Sequence, residues 1–170
     1  DEFDQMEAQA LEISSWGRNA NVKIPVTNTR GESAASLIKS LSERGVIVNV
    51  TAIMSLDQVK RIAEVLSPET AAIVSVFAGR IADTGRDPIP LMQEAADILN
   101  NLPKAELLWA SPREVLNVQH AIQANCHIIT ATPDILKKLA SFGKGLDEFS
   151  LETVKMFYDD AHSAGYKIAL

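Results

Sequence analysis

Lys23 stands alone as a cation in the apolar run Val22-Lys23-Ile24-Pro25-Val26-Thr27. In a strand, Lys23, Pro25 and Thr27 share one face, while Val22, Ile24 and Val26 share the other. A lysine on a buried strand loses solvation, which disfavours the ammonium form. A neutral amine can attack a carbonyl and form a Schiff base. The alternative is a lysine that snorkels from a strand end or pairs with a buried acid.

Other polar residues interrupt apolar runs at a spacing of two. Asn49 and Thr51 share a face in Val46–Ala52, Ser75 and Phe77 in Ile73–Phe77, and Trp109 and Ser111 in Leu107–Ser111. Each reads as late in its strand, the edge where α/β folds build ligand sites. A single strand serine or threonine is usually a satisfied core hydroxyl, but several at one end suggest a polar pocket floor. Arg80 and Arg113 follow the same strand ends. Guanidinium forks bind phosphate bidentately, and Arg113 is expected to open a helix whose N-terminal amides favour an anion. The alternative is that both are surface arginines paired with Asp83, Asp87 or Glu114. The combined chemistry is an amine at one end and a phosphate site at the other.

These side chains need elements to position them. Short β-branched runs read as strands at 21–26, 46–52, 71–77, 105–110 and 127–131. Helical patterns lie between and after them, at roughly 32–44, 56–66, 88–101, 113–124 and 133–141. Residues 1–16 read as an acidic amphipathic helix. A last helix at about 150–163 starts at Ser150, and its apolar positions Leu151, Val154, Phe157, Tyr158 and Ala161 suit packing on a barrel or on a neighbouring subunit. Glycines and prolines punctuate the boundaries without a low-complexity linker, so residues 1–170 read as one domain. Parallel strands joined by helices give either a doubly wound sheet or the last five-eighths of a (β/α)₈ barrel.

Composition narrows the function classes. The 170 residues are 46% hydrophobic and 22% charged, enough for a real core. A net charge of −6 gives no support for nucleic-acid or anionic-membrane binding. The single Cys126 excludes an internal disulfide framework and suits a reducing, cytoplasmic setting. No apolar run approaches the ~20 residues of a membrane helix. His120, His127 and His162 are scattered and read as structural, and no His/Cys cluster has metal-ligand spacing.

Five segments, in order, carry a family resemblance: VKIPVT at 22–27, NVT at 49–51, SVFAGRIADTG at 75–85, WASPRE at 109–114 and HIITATPDILKKL at 127–139. Together they resemble the transaldolase family of class I, Schiff-base aldolases, which includes fructose-6-phosphate aldolase. The resemblance implies a TIM barrel of which this chain holds strands 4–8 and the C-terminal helix. It implies that Lys23 is the Schiff-base lysine and that Thr51 helps hold the catalytic water. Asn49 and Ser75 would hydrogen-bond the donor, and Arg80, Ser111 and Arg113 would hold its phosphate. At the position of Phe77, transaldolases generally carry Phe and fructose-6-phosphate aldolase a Tyr acting as acid/base. Phe77 therefore implies transfer of a dihydroxyacetone unit from a ketose phosphate to an aldose phosphate. Aldol cleavage and non-catalytic phosphosugar binding are the alternatives. The implied partners are sugar phosphates, with no metal or organic cofactor. A homo-oligomer and a role in carbohydrate metabolism of the pentose phosphate kind are further implications.

Two departures accompany the resemblance. The turn Asn28-Thr29-Arg30-Gly31 is slightly longer than usual. The family also carries an acid/base Asp on its first strand and a Glu on its third. Here Asp1, Glu2, Asp4 and Glu7 lie on the helix before the Lys23 strand. The expectation is that strands one to three are absent, so that this polypeptide neither closes a barrel nor turns over efficiently.

Overall fold

The computed structural model describes residues 1–165 and 167–168. It forms two compact units, Asp1–Thr132 and Pro133–Leu170. The first holds a five-stranded, all-parallel sheet in sequential order: β1 (Val22–Pro25), β2 (Val48–Ile53), β3 (Ala72–Val76), β4 (Ala105–Trp109) and β5 (Ile128–Ile129). Its helices are α1 (Phe3–Ser14), α2 (Ala35–Glu43), α3 (Leu56–Ala63), α4 (Ala78–Asp83), α5 (Ile89–Leu99) and α6 (Asn117–Gln123). The strictly sequential parallel order is that of an α/β fold consistent with part of a (β/α)₈ barrel.

The two faces of the sheet differ. Val22, Ile24, Val48, Val50, Val74, Val76, Leu107 and Trp109 are buried in one cluster with Ile38, Leu41, Val59, Ile62, Met92 and Leu99 of the helices. Burying each such side chain contributes roughly 1.5–3 kcal/mol, an upper estimate against an extended chain. On the other face, Lys23, Asn49, Ile73 and Glu106 pair across four strands in one row. Lys23 and Glu106 are exposed, and Asn49 and Ile73 half-buried.

Local chemistry sets the element ends. Ser55 caps α3 with a capping box: its Oγ accepts from Gln58 N at 3.3 Å, and Gln58 Oε1 accepts from Ser55 N at 3.2 Å. The Asn28 turn is organised by its own buried side chain, whose Oδ1 accepts from the amides of Arg30 at 3.0 Å and Glu32 at 2.9 Å. Arg30 then pairs with Glu2, ahead of α1, and with Glu32. Its guanidinium holds the Glu2 carboxyl below the usual range, and the Asn28 amide, with Arg30 second, does the same for Glu32. The Asn28 turn thus carries its own hydrogen bonds and ties the end of β1 to the start of α1.

Several expected elements differ. The short α4 was not anticipated, because six residues are too few for helical periodicity to register. The helix expected from 113 begins only at Asn117, since Asn117 Oδ1 takes the amides of Arg113 at 2.7 Å and Glu114 at 3.1 Å and holds them in a turn. The strand expected over 127–131 pairs with β4 only at Ile128–Ile129. In the second unit, the helix expected over 133–141 splits into α7 (Pro133–Lys138) and a 3-10 turn, Leu139–Ser141. The last helix, α8 (Leu146–Ser163), starts four residues before Ser150. Gly145 is its N-cap, and Asp147 and Glu148 in its first turn complement the helix dipole. All of its residues are exposed or half-buried, including Leu151, Val154, Phe157 and Tyr158.

One backbone approach fixes the carboxyl end of the sheet. Gly79 N donates to Ala110 O at 3.2 Å, and a Cβ on Gly79 would lie 1.5 Å from the Ser111 carbonyl oxygen. Only glycine fits there, so the first turn of α4 rests directly on the loop after β4. Ser111 itself adopts φ 62°, a left-handed conformation that non-glycine residues rarely take. Gly79→Ala is expected to lower stability by at least about 2 kcal/mol and to displace the Ser111–Arg113 loop. Chemical denaturation together with amide exchange across residues 108–114 checks this; an unchanged midpoint would show that the loop yields freely.

Candidate active site

Register places the nucleophile candidate. Lys23 and Asn49 are direct partners on adjacent parallel strands, so their side chains leave the same face of the sheet. Thr51, the partner of Pro25, lies two residues further along that face. The bulge that follows, where Ala52 takes φ 63° and the register shifts between Val50 and Ile53, re-aims the end of β2. Asn49 is only the second residue of β2, so the expectation that every polar strand residue comes late does not hold for it. Lys23 is exposed, so the desolvation expected from its apolar neighbours is not supplied by this chain's own residues. Those neighbours, Val22 and Ile24, bury the opposite face.

Asn49 and Ser75 form a unit. The Ser75 hydroxyl donates to Asn49 Oδ1 at 2.7 Å, and Ser75 is 2% exposed. With its carbonyl oxygen engaged, the amide presents its NH₂ as a donor, while the Ser75 oxygen keeps lone pairs to accept. The Thr51 hydroxyl is shut from solvent and has no hydrogen-bond partner among the described residues. An orphan buried hydroxyl is costly by about 1–3 kcal/mol, so this one leaves a hydrogen bond to be made, as the buried Trp109 Nε1 on the opposite face also does.

The arginines gather on one side. Because Gly79 lies against Ser111, Arg80 and the Ser111–Arg113 loop share a neighbourhood at the carboxyl end of β3 and β4. The Arg80 guanidinium sits 5.4 Å from the centroid of the Phe77 ring, a cation–π contact. Arg113 pairs with Asp83, the alternative the sequence allowed for. That contact holds its guanidinium more firmly protonated. The amides of Arg113 and Glu114, expected to be free for an anion, are already satisfied by Asn117. A cleft of about 470 Å³ lies beside Arg80, lined also by Met54, Ser55, Thr84 and Arg86.

Trp109 is not part of this floor. It is fully buried under the helices, with its ring 6.2 Å from that of His120, on the face opposite Lys23. The left-handed Ser111 breaks the alternation that would have put the two on one face. His127 Nδ1 accepts from Leu107 N at 3.0 Å, a structural role at the start of β5. Burial pushes the Cys126 thiol up to about 12, so it is protonated and unreactive at neutral pH. Among the described residues no group of three or more His, Cys, Asp or Glu is placed to hold a metal. No described helix is long and apolar enough to cross a membrane.

Sequence reading missed Glu106 and Asn117. Glu106 carries a carboxylate in the row of Lys23, and strict alternation against Leu107 was a usable signal. Asn117 is 8% exposed and organises the Arg113 turn, which a helix expected to begin at 113 concealed.

Comparison with known proteins gives a single answer. The family model for transaldolase/fructose-6-phosphate aldolase matches residues 1–168. A probable transaldolase of Desulforamulus reducens is 35% identical over 155 residues, covering 89% of this chain and 68% of that protein. One of Nitrosopumilus maritimus is 34% identical over 140 residues, covering 81% and 60%. A probable transaldolase 2 of Listeria monocytogenes is 32% identical over 152 residues, covering 87% and 66%. The chain thus spans about two thirds of the length of the curated relatives it matches. With an ordered parallel sheet, a lysine–asparagine pair on one face and an arginine-bearing rim, this chain belongs to the transaldolase/fructose-6-phosphate aldolase family.

Proposed function

We propose that this chain supplies the nucleophile and the phosphate-binding rim of a transaldolase-like transferase. The observation that carries the reading is the pairing of Lys23 with Asn49 on one strand face, with the Ser75–Asn49 hydrogen bond beside it. Lys23 Nζ attacks the C2 carbonyl of a ketose phosphate, and loss of water gives an iminium. Removal of the C4 hydroxyl proton then breaks C3–C4, and the iminium takes up the electron pair as an enamine. An aldose phosphate leaves. The enamine adds to a second aldehyde, and water returns the lysine as the free amine.

The residues divide this work by their chemistry. The Asn49 amide NH₂ and the Ser75 hydroxyl hydrogen-bond the donor near C2. The Thr51 hydroxyl, without a partner among the described residues, steadies the water of carbinolamine chemistry. Arg80, Ser111 and Arg113 receive the phosphate. Acid/base transfer falls to the carboxylates that the family carries on its first and third strands. Closure of the barrel over the Lys23 face would also supply the desolvation that the exposed lysine lacks here. The sugar-phosphate substrates, a cytoplasmic setting and self-association belong to the same proposal.

Borohydride reduction of the full-length protein with fructose 6-phosphate is expected to leave Lys23 about 74 Da heavier, a reduced three-carbon unit. Lys23→Met should abolish the adduct with the melting temperature retained. Mass spectrometry that finds no adduct on Lys23 would sink the enzymatic reading.

Two variants test the finer assignments. Arg113→Ala is expected to raise KM for phosphorylated sugars roughly tenfold or more, well beyond its effect on unphosphorylated ones. Equal effects on both would refute the phosphate role. Phe77 has no titratable proton, so Phe77→Tyr should raise release of free dihydroxyacetone relative to transfer. An unchanged ratio of the two products would remove Phe77 as the determinant.

A further inference from the structure

The Arg113 guanidinium is gripped along one edge. Its Nε–H donates to Asp83 Oδ1 at 3.0 Å and its Nη2 donates to Asp83 Oδ2, so the carboxylate of α4 occupies the Nε/Nη2 side. Two of the five N–H donors are consumed, and the end edge formed by Nη1 and the outer hydrogen of Nη2 keeps the rest. The backbone of the same residue is held too, with Arg113 N donating to Asn117 Oδ1 at 2.7 Å. The fold brings Asp83 within reach because Gly79 lets α4 settle on the Ser111 loop.

Stability gives little reason for this pair. The two side chains are 47% and 50% exposed, and exposed ion pairs add little to folding. Simple electrostatics gives a reason against it, because a carboxylate beside a phosphate subsite repels the ligand. What the carboxylate does supply is geometry. An arginine on a loop samples many rotamers, and each ligand that binds it must order that side chain. A guanidinium already forked by a carboxylate is ordered before the ligand arrives.

We propose that Asp83 is a positioning residue for phosphate recognition: by taking the side edge of Arg113 it leaves the end edge as the face that receives the terminal phosphomonoester of the substrate. This rests on the reading of Arg113 as a phosphate ligand. The β3–α4 segment then orients both arginines, Arg113 through Asp83 and Arg80 through the Phe77 ring beneath it.

The two effects of losing Asp83 have opposite signs, which makes the test decisive. Loss of positioning weakens phosphate binding, and loss of the negative charge strengthens it. In the full-length protein, Asp83→Ala is expected to raise KM for fructose 6-phosphate roughly five- to tenfold, with kcat changing less than KM. Inorganic phosphate should inhibit the variant correspondingly less. Asp83→Glu should recover part of the loss. Asp83→Asn, nearly the same shape and safe for folding, keeps one acceptor oxygen and should fall between. Glu69→Ala, which breaks the exposed Glu69–Lys104 pair near the opposite end of the strands, should leave KM unchanged. A KM that stays level or falls in Asp83→Ala and Asp83→Asn would overturn the proposal, as would an equal rise for fructose and fructose 6-phosphate. Borohydride trapping at Lys23 separates the two failures. Intact trapping with unaltered phosphate dependence rejects the Asp83 role alone, and absent trapping in the unmutated protein rejects the parent reading.

Discussion

A parallel strand satisfies its backbone only through neighbours on both sides, and it reaches the next parallel strand only by crossing over through a helix. That constraint puts every helix of a sequentially ordered sheet on the same face, because successive crossovers share one hand. The face under the helices must then be apolar, which is what Val22, Ile24, Val48, Val50, Val74, Leu107 and Trp109 provide. The other face is released from that demand and can carry Lys23, Asn49 and Glu106 in one row. The chemistry of this chain sits where the core does not need the positions.

The carboxyl end of the sheet is organised by a second, smaller constraint. Absence of a side chain at Gly79 allows α4 to touch the loop after β4, and everything at the rim follows from that contact. Ser111 is bent into a left-handed turn, Arg80 lies in the first turn of α4, and Asp83 at the end of the same helix meets Arg113. Asn117 closes the loop from the other side by accepting two of its amides. A short helix with little stability of its own thus carries the polar architecture of the rim.

Much of the architecture was legible in the chain. All five strands and their parallel order follow from the recurrence of β-branched runs and intervening helical patterns, and the helix positions for α1, α2, α3 and α5 agree to within a few residues. The failures share a physical cause. Where a side chain or a single backbone torsion overrides periodicity, pattern reading has nothing to detect. Asn117 captured the amides of an apparent helix start, a left-handed Ser111 left the alternation that Trp109 keeps, and α4 was too short to show a period. The exposure of Lys23 belongs to a different class, since it depends on what covers the outer face of an edge strand.

The sequence by itself determined which residue types exist to do chemistry: a strand lysine, an asparagine and serine at the spacing of one strand face, and two arginines after strand ends. It also determined that these sit on parallel α/β units, because alternation and period are local properties of the chain. Only the tertiary structure decided which of them meet. The register put Lys23 opposite Asn49, the Gly79 approach brought Arg80 to the Ser111 loop, and Asp83 found Arg113 across 30 positions of sequence. Contacts of that kind depend on how helices settle on a sheet, which no local pattern encodes.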